Sequence, residues 1–218
     1  VVEEMAKNVR NLAELSLDKG CLNSMSDFIT RKSLVSLGQH ASNLEVLEMV
    51  YRSFGVSDTS LLALTTGPAQ VGKSLRELNL DRVQFGALPA AVGRLAKLET
   101  LSVQLCGLDA LPPELGRCAA LHTLNAGGNR LAAWPAALCT LTNLKTLYLD
   151  TNQLTTLPPD ICKLTKLGGS NGVFCLKDNP GLVTPPYSVV KGKGGEYGYG
   201  EGGCFAEVRD WFAQHKTY

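Results

Sequence analysis

The stretch Leu144-Lys145-Thr146-Leu147-Tyr148-Leu149-Asp150-Thr151-Asn152-Gln153-Leu154, followed by Leu157-Pro158, Ile161 and Leu164, decides how this chain is built. The same apolar residues return at the same offsets upstream. Leu75, Leu98, Leu121 and Leu144 are each 23 residues apart, and Leu167 continues the count. One copy reads Leu75, Leu78, Leu80, Val83, Phe85, Leu88-Pro89, Val92, Leu95; another reads Leu121, Leu124, Ala126, Asn129, Leu131, Trp134-Pro135, Leu138, Leu141. Self-similarity at a fixed period predicts a stack of like units, none of which can bury its apolar stripe alone.

The pattern has a physical reading. In Leu-x-x-Leu-x-Leu the last two leucines are two apart, so on a short strand they face the same way, inward, while the residues around them face out. The asparagine has both donors and an acceptor, and is predicted to satisfy backbone groups left open where the chain leaves the sheet. Proline in the Leu-Pro step cannot donate to a strand ladder, so it ends the strand and begins the return segment.

This template resembles the leucine-rich repeat family in its 23-residue Leu-Pro class, over residues 75–190. Upstream, Leu12-x-x-Leu15-x-Leu17 and Leu44-x-x-Leu47-x-Met49 keep the strand signature at a longer period, and Asp27 and Asp58 precede helical patterns as N-caps. Met25-Ser26-Asp27 and Val56-Ser57-Asp58 resemble the longer ribonuclease-inhibitor-like or cysteine-containing repeats. The resemblance implies an α/β fold: a right-handed leucine-rich repeat solenoid, a curved horseshoe with a parallel sheet on its concave face and a C-terminal capping helix. Three parts are expected within one continuous solenoid: longer repeats over 1–73, 23-residue repeats over 74–190, and a glycine-rich loop with a cap helix over 191–218. Phe205, Val208, Trp211 and Phe212 supply the apolar stripe of that helix. The opening Val1-Val2, without methionine, reads as a processed or trimmed chain.

Composition narrows the function classes. A formal net charge of +1 makes no electrostatic case for nucleic acid or an anionic membrane. No run approaches the roughly 20 apolar residues of a membrane helix, so direct membrane insertion is not expected. Seven cysteines without metal-ligand spacing, and no Asn-x-Ser/Thr sequon, suggest an intracellular, cytoplasmic protein, or an organellar one after removal of a transit peptide. Cys118 takes an apolar position of the repeat; Cys139 and Cys162 share one offset in adjacent copies.

Three features invite a chemical reading. Gly67-Pro68-Ala69-Gln70-Val71-Gly72-Lys73-Ser74 matches the phosphate-binding loop, but a helical pattern precedes it and the repeat places a strand after it, the reverse of what that loop requires. Gly198-x-Gly200-x-x-Gly203 lacks the preceding strand of a dinucleotide fingerprint. His40, His122 and His215 are the only histidines, and no nucleophile with an orienting third group can be placed beside His122. No catalytic, cofactor or metal residues are expected, and the chain reads as a non-enzyme.

Recognition remains, and the register says where. Outward strand positions form columns: Ser16, Glu48, Asn79, Ser102, Asn125, Tyr148, and beside it Asp18, Val50, Asp81, Gln104, Gly127, Asp150. Over the first three strands Glu14, Asp18, Glu48, Glu77 and Asp81 outnumber Lys19 and Arg82, a net charge of −3. The candidate docking residues are Asp18, Glu48, Tyr51, Asn79, Asp81, Arg82, Ser102, Gln104, Asn125, Tyr148 and Asp150. The resemblance implies protein partners: a scaffold, adaptor or subunit of a larger multi-subunit complex, docked on the concave sheet. Two alternatives stand beside it, an architectural subunit held by its convex side and tail, and a nucleotide-responsive protein using residues 67–74.

Overall fold

A computed structural model describes residues 11–17, 31–49, 58–84, 86–169, 172–186, 189 and 205–215. Seven strands form one parallel sheet in chain order: β1 (Glu14–Leu17), β2 (Val46–Met49), β3 (Glu77–Asn79), β4 (Thr100–Ser102), β5 (Thr123–Asn125), β6 (Thr146–Tyr148) and β7 (Phe174–Cys175). Each strand pairs with the next at the offset the repeat requires: Leu47 lies beside Leu78, Leu78 beside Leu101, Leu101 beside Leu124, and Leu124 beside Leu147.

The return segments change along the chain as the spacing predicts. Two α-helices, α1 (Arg31–His40) and α2 (Asp58–Thr66), lie among the long repeats. The 23-residue copies return through single 3-10 turns, Ala90–Arg94, Pro113–Arg117, Ala136–Thr140 and Pro159–Lys163. Each of these follows a proline, Pro89, Pro112 or Pro158 after leucine and Pro135 after Trp134, because a residue locked near φ −65° and lacking an N–H fits the start of a helical turn. Helical segments are wider than strands, so the sheet lines the concave side.

Between sheet and return segments runs one apolar core, with Leu78, Leu101, Leu124 and Leu147 at most 1% exposed. Burying each such leucine stabilises by about 1.5 to 3 kcal/mol. The last layer is covered by α3 (Phe205–Gln214), whose Phe205, Val208 and Phe212 are buried. The Phe205 ring meets Phe174 of β7 edge to face at 5.6 Å, so the cap closes the terminal coil as the sequence leads one to expect.

The asparagines do more than serve their own turn. Asn152 Nδ2 donates to Leu149 O of its own coil at 3.2 Å and to Ala126 O of the preceding coil at 3.0 Å. Its Oδ1 accepts from Leu131 N, also in the preceding coil, at 3.0 Å. Asn129 and Asn179 repeat this arrangement, and all three are buried. In the β4 coil the same position holds Cys106, whose thiol donates to Leu80 O at 3.1 Å. Burial pushes that thiol up to about 12, so it stays protonated as a small weak donor.

Leu147→Ala is expected to cost about 2 to 5 kcal/mol, because the side chain is fully buried and its removal leaves a cavity. Chemical denaturation checks this, and a shift below about 1 kcal/mol would contradict the packing described.

Candidate docking face

The pairing register sets the concave surface. Beside each buried leucine an outward column runs through Ser16, Glu48, Asn79, Ser102, Asn125 and Tyr148, pair by pair across the sheet. A second outward column runs Glu14, Val46, Glu77, Thr100, Thr123, Thr146. Beyond the strand ends the backbones remain laterally bonded, Arg82 N to Gln104 O at 2.8 Å, Leu105 N to Gly127 O at 3.0 Å and Gly128 N to Asp150 O at 2.9 Å. Asp81, Gln104, Gly127 and Asp150 therefore form a third row on a rigid support. Of the residues expected here, Asp18 and Tyr51 lie outside the described residues.

Several of these side chains brace the surface as well as face outward. Asn79 Oδ1 accepts from Asp81 N at 3.0 Å, and Asn125 Oδ1 from Gly127 N at 3.1 Å, each closing the turn after its strand. Asp81 Oδ1 accepts from Ser102 Oγ at 2.6 Å and from Gln104 N at 2.8 Å, tying two coils together. Asp81, expected from the sequence as an outward docking residue, thus has part of its carboxylate spent on coil-to-coil bonding. Tyr148 and Glu48 remain half-buried and outward, and Arg82 is exposed with φ +65°.

Asp150 packs over Gly127, where an added Cβ would stand 2.8 Å from Asp150 Oδ1. The missing side chain of Gly127 is thus what gives the carboxylate its place. Burial pushes the Asp150 carboxyl above its usual range, and the charge of Asp178 adds to this. Next to it, the left-handed position recurs in every short coil, at Arg82, Leu105, Gly128, Thr151 and Asp178, all with φ between 52° and 66°. A non-glycine residue there costs roughly 1 to 2 kcal/mol. Leu105 is both strained and 40% exposed, and it leans on Gly128, where a Cβ would meet Leu105 Cδ2 at 2.5 Å. Sequence reading missed this residue. Its signal was an apolar side chain at an offset that other copies fill with Arg82, Gly128 or Thr151.

At the edge where strands begin, charges pair across coils. Arg76 bridges Glu45 at 3.5 Å and also Glu99, and His122 Nε2 lies 3.5 Å from the second Glu99 oxygen. His122 thus sits on this edge, in a surface ladder whose exposed pairs contribute about 0.2 to 1 kcal/mol each.

The Gly67–Ser74 segment follows α2 and runs through a 3-10 turn, Val71–Lys73, into β3. Lys73 N donates to Gln70 O at 2.7 Å and Ser74 N to Val71 O at 3.1 Å, while Ser74 Oγ donates to Leu44 O at 2.8 Å. Three of the groups that would cradle a phosphate, the two amides and the hydroxyl, are thus already bonded. Lys73 and Ser74 line an open cleft of about 520 Å³ together with Arg76, Lys97 and Glu45. The glycine-rich stretch 198–203 lies outside the described residues. Among the described residues no group of three or more His, Cys, Asp or Glu side chains is placed to hold a metal ion, and no helix is long and apolar enough to cross a membrane.

Cys139 and Cys162 are half-buried free thiols, and Cys106, Cys118 and Cys175 are buried ones. Burial pushes the Cys118 thiol up to about 11, consistent with the apolar role its repeat position suggests.

Asp150→Asn separates burial from pairing. The folded carboxyl is raised above its unfolded value, so its contribution to stability is present at low pH and is lost as pH rises through the folded value. The asparagine variant is therefore expected to gain stability relative to the parent between about pH 3 and about pH 7. Denaturant titrations at both pH values check this; a relative loss on raising the pH would mean that a cation holds the charged form.

The family pattern described as Leucine Rich repeats (2 copies) matches residues 119–167. No curated protein matches the chain. Among solved structures it is similar to a leucine-rich repeat protein of Leptospira interrogans, with a TM-score of 0.60 and 23% identity, over 83% of this chain and 43% of that one. It is similar also to the leucine-rich repeat domain of the type III effector XopL, with a TM-score of 0.60 and 22% identity, over 90% of this chain and 61% of that one. The chain thus spans less than two thirds of either. Repeat pattern, asparagine ties and sheet agree with these likenesses: the chain has the leucine-rich repeat solenoid fold, and its residues 119–167 carry the leucine-rich repeat pattern itself.

Proposed function

We propose that the chain is a non-enzymatic protein-binding scaffold, an adaptor or a subunit of a larger assembly, with its partner docked on the concave sheet. One observation carries this reading. An ordered column from Ser16 to Tyr148 lies on the outer face of a sheet whose inner face is wholly committed to the core. These residues are held in place by the stack, and Asn79, Ser102 and Asn125 are fixed further by their own hydrogen bonds, so a partner meets a preorganised surface and the ordering cost of binding falls. Leucine-rich repeat folds commonly mediate protein–protein contact, which supports the same reading.

A block that ignores partner chemistry tests it. Thr100→Trp with Thr123→Trp fills the concave face of β4 and β5 with bulky neutral side chains that strands tolerate. Affinity capture with quantitative mass spectrometry is expected to lose partners about tenfold or more in this pair, as for loss of a hot spot. Capture should stay unchanged in Arg94→Glu with Arg117→Glu, two exposed residues of the return turns. The reverse outcome would favour an architectural subunit held by its convex side.

The geometry of residues 67–74 argues against the nucleotide reading, because the Lys73 and Ser74 amides and the Ser74 hydroxyl already bond to backbone carbonyls. Calorimetry with ATP or GTP and magnesium is expected to give no binding heat in the parent or in Lys73→Ala. Binding in the parent that the variant loses would reinstate that reading.

A further inference from the structure

The concave face is uneven in charge and in relief, and that unevenness selects a class of partner. On β1 to β3 and the turn after β3, Glu14, Glu48, Glu77 and Asp81 face outward, and no ion pair joins any of them to another described residue. At the strand-start edge of the same coils the carboxylates of Glu45 and Glu99 are instead paired through Arg76. The formal net charge of the whole chain is +1, so the remainder is net cationic and a positive partner is steered to this face rather than to the surface at large. Across β4 to β6 the character changes. On these strands the outward residues Thr100, Ser102, Thr123, Asn125, Thr146 and Tyr148 are all uncharged, and just past β4 the exposed, strained Leu105 lies over Gly128.

We propose that the occupant of this sheet face is a basic amphipathic helix of a partner protein, lying across the strands. It places lysine or arginine over β1 to β3 and apolar side chains over β4 to β6, against Leu105 and Tyr148. The inference rests on the concave reading above and narrows it to one chemistry.

Spacing supports a helix over an extended segment. Neighbouring strands lie about 4.8 Å apart, and helix residues three or four apart advance about 4.5 to 6 Å. A helix therefore offers one side chain per coil, in step. An extended segment repeats a face only every 6.6 Å or so and falls out of register within a few coils. From β1 to β6 is five such steps, about 24 Å, the length of roughly 16 helical residues. Leu105 gives this arrangement an observable cost: glycine fills the same left-handed position in the next coil without strain, while leucine there is kept exposed.

The probe is a stapled helical peptide of about 18 residues, with lysines on one face of its first half and leucines on that face of its second half, read by fluorescence anisotropy. A second peptide carries glutamate in place of lysine. The lysine peptide is expected to bind the parent chain and the glutamate peptide to bind at least about tenfold more weakly. Glu48→Lys with Glu77→Lys should weaken lysine-peptide binding about tenfold or more and flatten its salt dependence. Leu105→Gly with Tyr148→Ala should instead speed dissociation with little change in association. Glycine relieves the left-handed strain, and circular dichroism confirms that each variant is folded.

Equal binding of the two peptides, absence of lysine-peptide binding, or indifference to the Glu48 and Glu77 reversal would overturn the proposal. So would a concentration-dependent dimer in sedimentation that Leu105→Gly abolishes, since the face would then belong to a second copy. If the tryptophan pair at Thr100 and Thr123 still blocks native partners while the lysine peptide fails, the concave reading survives and only the basic helix falls.

Discussion

The open backbone groups at the point where each coil leaves the sheet are the constraint on which the stack depends. A turn packed between two neighbours has no water to satisfy its N–H and C=O groups, and each one left unmade costs about 1 to 3 kcal/mol. A buried asparagine solves this because its amide donates and accepts at once. Asn129, Asn152 and Asn179 each bond to a carbonyl of their own coil and to groups of the coil before. The tie is therefore between coils, which is where a quasi-one-dimensional protein stores its cooperativity. Coils without the amide use other means. Cys106 supplies one weak donor to Leu80 O, and in the β3 coil, where Val83 holds the position, Asp81 reaches across to Ser102 and Gln104.

The same economy explains the cysteines. A thiol in the core is raised by burial and stays neutral, so at Cys106 and Cys118 it acts as a small apolar group with at most one weak hydrogen bond. A nucleophile needs the opposite surroundings, a partly exposed thiol beside positive charge.

What was legible in the sequence follows from this. Leucines at fixed offsets determine the register, since a one-residue slip would turn Leu78, Leu101, Leu124 and Leu147 to solvent. The outward columns then follow by default, and the structure places them as the register requires. The bracing roles of Asp81, Asn79 and Asn125 were not legible, because a carboxylate or amide at a turn reads the same whether it faces water or a backbone N–H of its neighbour. Leu105 escaped for a related reason: the left-handed turn it occupies recurs at that offset from coil to coil, and its own residue type argues against that conformation. The ladder through Glu45, Arg76, Glu99 and His122 was written in the spacing, each residue immediately following the leucine that opens its copy, but only stacking turns a shared offset into a contact.

A solenoid divides its residues between two tasks more cleanly than a globular domain does. Inward positions and turn asparagines determine whether the coils stack; outward positions on the concave strands are positioned by that stacking yet contribute little to it. Charge on those positions can then depart from what stability alone favours. Unpaired like charges on adjacent strands repel modestly, and the chain has shown that it can pair carboxylates across coils, at Arg76, without disturbing the register. That no ion pair joins Glu14, Glu48 or Glu77 to another described residue, on the same sheet as that ladder, is thus a property of the surface rather than a demand of the fold. Among the outward positions Asp81, with its donor Ser102, joins the two tasks most directly, since the carboxylate that faces the groove also holds β4 against the turn after β3. A partner that drew Asp81 toward its own cation would loosen a coil-to-coil tie, so at that point binding and the mechanics of the stack are coupled.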